Sequence, residues 1–196
     1  LAHRPDLLII GGISNNNGSS AYVALAIAPN GQAYAAWMDS SAGNQEVYVR
    51  RWNGGEWEQL AGSAGGGGIT NTPTRSGRPS IALADELPTV AWAETETVNE
   101  IYVRRFDGSA WVELGEHSAS NGGVSNTPGV SQYATLGYSA AGQPFVAWYD
   151  YTPGPPEIYA ATLPSGQWGA AGSGAASGGG ISNTAGLSME PELAVR

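Results

Sequence analysis

The chain has 196 residues, a formal net charge of −9 and no cysteine, and its eight cationic side chains are all arginines. This composition excludes disulfide bonds and thiolate metal sites, and it argues against a nucleic-acid partner, which would need a basic surface. No apolar run reaches the roughly 18 residues of a membrane span. A charged fraction of only 13% leaves a surface rich in Ser, Thr, Asn and Gly, which favours an extracellular or cell-surface location.

One motif recurs about every 55 residues, a period typical of β-propeller blades made of short strands. Four markers define it: an apolar residue after a glycine pair, a first Trp, a Tyr and a later Trp. They occur in that order at Ile13, Ile69, Val124 and Ile181; Trp37, Trp92 and Trp148; Tyr48, Tyr102 and Tyr159; and Trp57, Trp111 and Trp168. Because the markers keep nearly constant spacing, we predict an all-β fold of duplicated, four-stranded propeller blades.

In chain order, the repeat predicts five segments. Residues 1–10 form the last strand of a preceding blade, 11–65, 66–121 and 122–177 form three complete blades, and 178–196 hold the first strand of a further blade. Propellers close with about 4–8 blades. Three complete blades therefore predict either a segment of a larger propeller or copies of the chain that assemble into a ring. Other blades or copies of the chain are accordingly the expected partners.

Each blade is predicted to contain four strands. The first strands are Tyr22–Ala28, Ser80–Ala84 and Ala134–Tyr138, the second are Ala33–Met38, Thr89–Ala93 and Phe145–Tyr149, and the third are Val47–Trp52, Ile101–Phe106 and Ile158–Thr162. The fourth strand carries the later Trp, and a glycine-rich loop then crosses to the next blade. The first Trp of each unit stands in mid-strand among Ala and Val, which predicts a place in the core between blades.

Two acidic residues flank the second hairpin of every unit. The pairs are Asp39 and Glu46, Glu94 and Glu100, and Asp150 and Glu157. Clustered carboxylate oxygens suit Ca²⁺, so Asp39, Glu94 and Asp150 are candidate calcium ligands, and no other cofactor is expected. The alternative is a solvated loop that keeps the sheet edge soluble. The nearby Ser/Thr-Asn-Thr turns are predicted to bond their own local backbone.

Two stretches resemble the repeats of bacterial secreted β-propeller proteins: GQPFVAW at 142–148 and EVYVRRWNGGEW at 46–57. The broader neighbours of these repeats are sialidase-like propellers and fucose-binding propeller lectins. The resemblance covers nearly the whole chain and implies a blade architecture. The chain departs from the sialidase pattern, because residues 139–142 read Ser-Ala-Ala-Gly and lack the Asp of the sialidase Asp-box.

In the propeller lectins, an Arg, an acid and a Trp hold the sugar. The resemblance thus implies two candidate ligand sets, Arg51, Glu46 and Trp57 in the first blade and Arg105, Glu100 and Trp111 in the second. The alternative is that these arginines bridge to neighbouring carboxylates while their stems cover apolar surface.

Three functions are consistent with these patterns. The first is an extracellular, non-enzymatic propeller module with a structural or protein-interaction role. The second is a carbohydrate-binding, lectin-like propeller with repeated sites for glycans. The third is part of a sialidase-like glycoside hydrolase, although a catalytic acid pair is a single asymmetric constellation, whereas the acidic pairs here recur in every unit.

Overall fold

The structure is a computed structural model, and it describes residues 12–95 and 98–194. It contains three sheets of four strands each. Blade 1 comprises β1 (Ser20–Ile27), β2 (Ala33–Asp39), β3 (Glu46–Trp52) and β4 (Trp57–Gln59). Blade 2 comprises β5 (Arg75–Ala84), β6 (Leu87–Thr95), β7 (Asn99–Phe106) and β8 (Trp111–Glu113). Blade 3 comprises β9 (Ser131–Tyr138), β10 (Pro144–Asp150), β11 (Glu157–Thr162) and β12 (Gly169–Ala170). Within each blade, every strand pairs antiparallel with the next one in sequence.

The predicted fold class is confirmed: the described chain is all-β and forms three propeller-like blades that do not close into a ring. No helix of the described residues is long and apolar enough to cross a membrane. The strand expected at residues 1–10 lies outside the described residues. Residues 178–194 form turns and irregular chain without a strand, and the last two residues of that predicted segment are not described.

Aromatic pairs build the core of each blade. Trp37 stacks on Tyr48, Trp92 on Tyr102 and Trp148 on Tyr159, each pair with ring centroids 6.0 Å apart. The three tryptophans are buried, as predicted. One apolar cluster joins Val49 and Leu60 of blade 1 to Trp92 of blade 2, so the core extends from one blade to the next.

The later tryptophans tie the outer strands to the preceding blade. The Nε1 of Trp111 donates to the carbonyl oxygen of Leu60 at 3.0 Å, and that of Trp168 donates to Leu114 at 2.6 Å. A buried indole N–H needs such an acceptor. Both tryptophans therefore contribute to packing between blades.

The loops that cross between blades dock on the third strand of the blade they leave. Gly68 and Gly123 adopt φ values of 63° and 67°, and a Cβ at either position would overlap the carbonyl oxygen of Val47 or Ile101. The next amide in each loop donates to that same carbonyl. Glycine is thus required here both by the left-handed backbone and by the close approach.

The first strand of each blade contains a bulge that the sequence prediction missed. The strands begin at Ser20, Arg75 and Ser131, earlier than predicted, and their pairing shifts register within the first half. Tyr22, Arg78 and Tyr133 occupy the bulges with φ values of 53°, 52° and 54°. A bulge leaves an extra residue outside the ladder and redirects its side chain.

Candidate functional site

The six recurring carboxylates are buried. Asp39, Glu46, Glu94, Glu100, Asp150 and Glu157 are each at most 8% exposed. Within each blade the two acids lie opposite each other at the ends of neighbouring strands. The interpretation of these residues as a solvated loop is therefore wrong. Buried carboxylates need hydrogen-bond donors, and the donors come from the linker between blades.

Glu94 of blade 2 accepts four side-chain hydrogen bonds. The hydroxyls of Thr72 and Ser76 donate at 2.6 Å, Thr74 donates as well, and the Nε1 of Trp92 donates at 2.9 Å. Thr72 and Thr74 belong to the linker between the blades, and their hydroxyls hold this linker against the next blade.

Glu46 of blade 1 binds the same linker on the side opposite to Glu94. It accepts from the Thr70 hydroxyl and from the backbone amide of Thr72 at 3.1 Å. The Ser76 hydroxyl lies 3.3 Å from Glu46 and thus stands between the two carboxylates. We call this arrangement of two carboxylates and the linker hydroxyls between them the inter-blade clamp.

The clamp repeats between blades 2 and 3. Asp150 accepts from the hydroxyls of Thr127 and Ser131, both at 2.7 Å, and Glu100 accepts from the Ser125 hydroxyl and the Thr127 amide. Burial raises the pKa of Glu100, and the charge of Asp150 adds to that rise, while the bonds from Ser125 and Thr127 oppose it. The paired carboxylates thus repel each other across the linker, and the donors offset this repulsion.

Asp39 makes the corresponding contacts at the start of the described chain. Ser20 donates to it at 2.6 Å, Asn16 and the Trp37 indole at 3.0 Å, and the Ser41 amide at 2.9 Å. Burial raises the pKa of Asp39, but the bonds from Ser20, Ser41 and Asn16 outweigh burial and hold the pKa at about 2. The carboxylate is therefore strongly stabilised in its charged form.

The calcium candidates Asp39, Glu94 and Asp150 lie one in each blade, with their oxygens bonded to protein donors. Within the described ranges, no group of three or more His, Cys, Asp or Glu side chains could hold a metal ion.

The structure does not bring the predicted ligand sets together. Glu46 and Arg51 lie on one strand five residues apart, about 16 Å along its length. Arg51 instead donates from Nε to Glu58 at 2.8 Å, and Trp57 packs on Trp52. In blade 2, Arg105 pairs with Asp85 at 3.3 Å, Trp111 bonds to blade 1 and Glu100 lies in the clamp. The two arginines bridge to carboxylates, as the alternative interpretation predicts, and a ligand role for the sets stays a prediction.

A different group of side chains meets where the first strands of the blades lie side by side. The bulge cluster consists of Tyr22, Arg78, Tyr133 and Glu190, which occupy equivalent positions of successive repeats. Glu190 shares the same backbone conformation, with a φ of 54°. The Arg78 guanidinium lies 4.2 Å from the Tyr22 ring centroid and 3.9 Å from that of Tyr133, and it donates to the Tyr22 hydroxyl at 3.2 Å.

An open groove of about 620 Å³ lies beside the bulge cluster, at the junction of the three blades. We call it the axial groove. Its polar and aromatic lining includes Tyr22, Gln45, Arg75, Arg78, Asn99 and Gln132. Ser76, Gly77 and Thr95 complete the lining together with Ala and Met side chains, so the groove is mainly polar with a smaller apolar part.

A stack of tyrosines contacts Gln132, one of the residues that line the groove. Tyr133 packs on Tyr149 at 5.2 Å, and Tyr149 in turn contacts Tyr151 edge-on. The Tyr149 hydroxyl donates to Gln132 at 2.7 Å, which orients that amide. Burial, followed by the neighbouring Tyr151 and Tyr133, raises the pKa of Tyr149 to about 12. The hydroxyl thus remains a hydrogen-bond donor across the physiological range.

The sequence prediction missed the bulge cluster, although a signal was present. Aligning the repeats places Tyr, Arg, Tyr and Glu at one position, whereas the tryptophans, tyrosines and acids of the blade scaffold recur with little change. A position that varies in chemistry within otherwise similar repeats is a candidate for ligand contact.

No model of a protein family matches the chain, and no curated protein matches it in sequence. Solved structures do match. A protein of unknown function from Dyadobacter fermentans has a TM-score of 0.54 at 13% identity, covering 80% of this chain and 55% of that one. A glycosyl hydrolase from Bacteroides ovatus has a TM-score of 0.50 at 14% identity, with 83% and 51% covered. A fucose lectin from Kordia zhangzhouensis in complex with methyl-fucoside has a TM-score of 0.46 at 14% identity, with 77% and 97% covered.

At these identities the similarity concerns the fold. The described chain is an open array of propeller-like blades, and its structural neighbours include bacterial glycoside-hydrolase-like and lectin-like β-rich proteins. It spans about half the length of the Bacteroides ovatus and Dyadobacter fermentans proteins.

Proposed function

We propose that this chain is an extracellular, carbohydrate-binding propeller module whose binding surface is the axial groove with the bulge cluster. The observation that carries the proposal is the Arg78 guanidinium held between the rings of Tyr22 and Tyr133 at the edge of an open groove. A sugar ring has an apolar C–H face and a rim of hydroxyls. The exposed part of the Tyr22 ring offers apolar surface to the C–H face, and planar N–H donors bond to the hydroxyls.

The contrast between the recurring positions and the variable position of the repeat supports this proposal. The first tryptophan, the tyrosine and the two carboxylates that recur in every blade are buried within the scaffold. The bulge position varies, and its side chains reach recesses that lie open to solvent. A scaffold position repeats because each blade packs in the same way, whereas a single asymmetric ligand calls for different groups around it.

A binding role, rather than hydrolysis, is proposed because of where the recurring acids lie. A glycosidase needs two carboxyl groups about 5–9.5 Å apart on either side of the scissile bond. The acids of the clamp are enclosed by linker hydroxyls and indole N–H groups, so they do not face a substrate. A carbohydrate-related role is also named for the Bacteroides ovatus protein, with which this chain shares the fold.

The test is glycan-array binding followed by calorimetry on the best ligand. The variant Tyr22→Ala removes one face of the cluster at a half-exposed position, and we expect at least tenfold weaker binding, equivalent to about 1.4 kcal/mol. Val112→Ala is the control, because Val112 is an exposed residue of the outer strand β8 and lies outside the groove. A wild-type chain that binds no glycan, or a Tyr22→Ala variant that binds normally, contradicts the proposal.

A structural or protein-interaction role is the second candidate, and the outer face of blade 1 favours it. Leu25, Ile81 and Leu136 are equivalent by strand register, yet Leu25 is 62% exposed whereas Ile81 and Leu136 are 8% and 6% exposed. Val23 and Ile27 are exposed on the same strand. In blades 2 and 3 the preceding blade covers this position, so we propose that a blade from a second copy covers it in blade 1.

The solution mass distinguishes this second role. A chain of 20.1 kDa that self-associates should show a larger, concentration-dependent mass in sedimentation, and Leu25→Glu should return it to the monomer. Leu187→Glu is the control for the added negative charge, because Leu187 is exposed and lies outside the sheets. A wild-type monomer at all concentrations excludes association through this face.

A further inference from the structure

The axial groove has the opposite charge from the chain as a whole. The chain has a net charge of −9, yet two of its eight arginines, Arg75 and Arg78, line this one groove. None of the described residues that line it is Asp or Glu, and Glu190 of the bulge cluster lies with Glu192 and Arg78 in the adjoining recess. A local excess of cationic groups on an acidic protein marks a surface suited to an anionic ligand.

Among the residues that the structure describes, no carboxylate forms an ion pair with Arg75 or Arg78. The ion pairs of these residues engage Arg51 and Arg105 instead. The charges of Arg75 and Arg78 are therefore not taken up by a described acidic side chain. The groove therefore offers two cations to a ligand.

Arg78 is also held in place before a ligand arrives. Tyrosine rings cover its guanidinium at 4.2 Å and 3.9 Å, and the Tyr22 hydroxyl accepts one hydrogen bond. This contact uses one of the five N–H donors of the guanidinium. The rings and this bond restrict the guanidinium, so part of the entropy cost of ordering a flexible arginine is already met in the free protein.

We infer that the axial groove selects a saccharide that carries a negative charge, as a carboxylate or a sulfate. A planar guanidinium forms two parallel hydrogen bonds with either anion, and Arg78 supplies that fork while Arg75 adds a second positive charge. Gln45, Asn99 and Gln132 supply neutral donors and acceptors for the hydroxyls of the same sugar. This inference rests on the proposed carbohydrate-binding function and specifies its ligand class.

The test uses calorimetry with four probes: a neutral cello-oligosaccharide, an oligogalacturonate, a carrageenan oligosaccharide that carries sulfates but no carboxylates, and poly-L-glutamate. We expect one or both anionic sugars to bind at least tenfold more tightly than the neutral one. That preference should shrink several-fold between 50 and 500 mM NaCl, because salt screens the charges. The uronate and the sulfated probe together distinguish the carboxylate from the sulfate as the preferred anion.

Arginine variants assign the effect to the groove. Arg75→Gln should weaken binding of the anionic sugar about tenfold and change binding of the neutral sugar by less than threefold. Arg78→Lys retains the positive charge but cannot form two parallel hydrogen bonds, so it should also weaken binding of the anionic sugar. Arg50→Gln is the matched control, since Arg50 lies on β3 outside the groove and belongs to neither predicted ligand set. It should bind like the wild type.

The outcomes separate the two proposals. Equal binding of neutral and anionic sugars overturns the charge inference but keeps the carbohydrate function. Failure of all three sugars overturns the carbohydrate function itself. If poly-L-glutamate binds as tightly as the best sugar, the groove recognises negative charge on any chain, and the assignment to saccharides is wrong.

Discussion

Glu94 provides the sharpest test of the inter-blade clamp, because Glu94→Ala leaves four donors without their acceptor. The Trp92 indole is held rigidly in the core, whereas the hydroxyls of Thr72, Thr74 and Ser76 rotate toward other oxygens or water. A buried donor left unsatisfied costs about 1–3 kcal/mol. With the full cost for the Trp92 indole and a fraction of it for each hydroxyl, the total loss of stability is roughly 3–5 kcal/mol.

Relief of charge repulsion offsets part of this loss. Glu46 lies on the other side of Ser76, so removing Glu94 leaves one carboxylate with fewer negative neighbours and returns about 1 kcal/mol. We therefore expect Glu94→Ala to lower the free energy of unfolding by about 3 kcal/mol. That is a large share of the roughly 5–15 kcal/mol typical of a folded domain.

The assay is urea unfolding followed by tryptophan fluorescence, comparing midpoints at equal slope. Glu56→Ala is the control, since Glu56 is exposed in the turn before β4, and a change within about 0.5 kcal/mol is expected there. A Glu94→Ala loss below about 1 kcal/mol would refute the clamp as a source of stability. Added Ca²⁺ should leave the wild-type midpoint unchanged, whereas a rise would favour the calcium interpretation instead.

Two further predictions address the linker and the open end of the described chain. Gly123→Ala should lower the free energy of unfolding by more than about 2 kcal/mol, because the position has a left-handed backbone and no room for a Cβ. Gly186→Ala is the control and should be nearly neutral in the same unfolding assay, because a Cβ there meets open space. Asp39 has a folded pKa of about 2, below its usual value of 3.8, so its contribution of about 2 kcal/mol is present above pH 4 and is lost as the pH falls toward 2. The stability gap between wild type and Asp39→Asn should accordingly narrow over that range, and a gap that stays constant with pH would contradict the assigned pKa.

The sequence predicted the blades because their core follows a simple rule. The second and third strands alternate side chains regularly, and the paired aromatics recur at constant spacing, so their bounds agree with the structure to within one or two residues. The first strands were predicted too short. Their bulge breaks the alternation on which strand prediction depends, and Arg78 and Tyr133 lie in or next to the part that was left out.

The clamp was misinterpreted for a different physical reason. Each carboxylate stands at a strand end beside turn residues, which in sequence resembles a solvated hairpin. Its donors are remote: Thr70 lies 24 residues from Glu46, and Ser76 lies 30 residues from it. Only the packing of one blade on the next brings these groups together, so no local pattern reveals that the acids are buried.

The bulge of the first strands has a consequence for how such a protein changes during evolution. One backbone geometry accepts an aromatic ring, a cation or an acid at the same place in successive units, as Tyr22, Arg78 and Glu190 show. Exchanging those side chains would leave the clamp and the aromatic core untouched. Duplicated units can therefore acquire new selectivity through few codon changes, and a combinatorial library limited to these positions should yield variants with altered ligand preference on an unaltered framework.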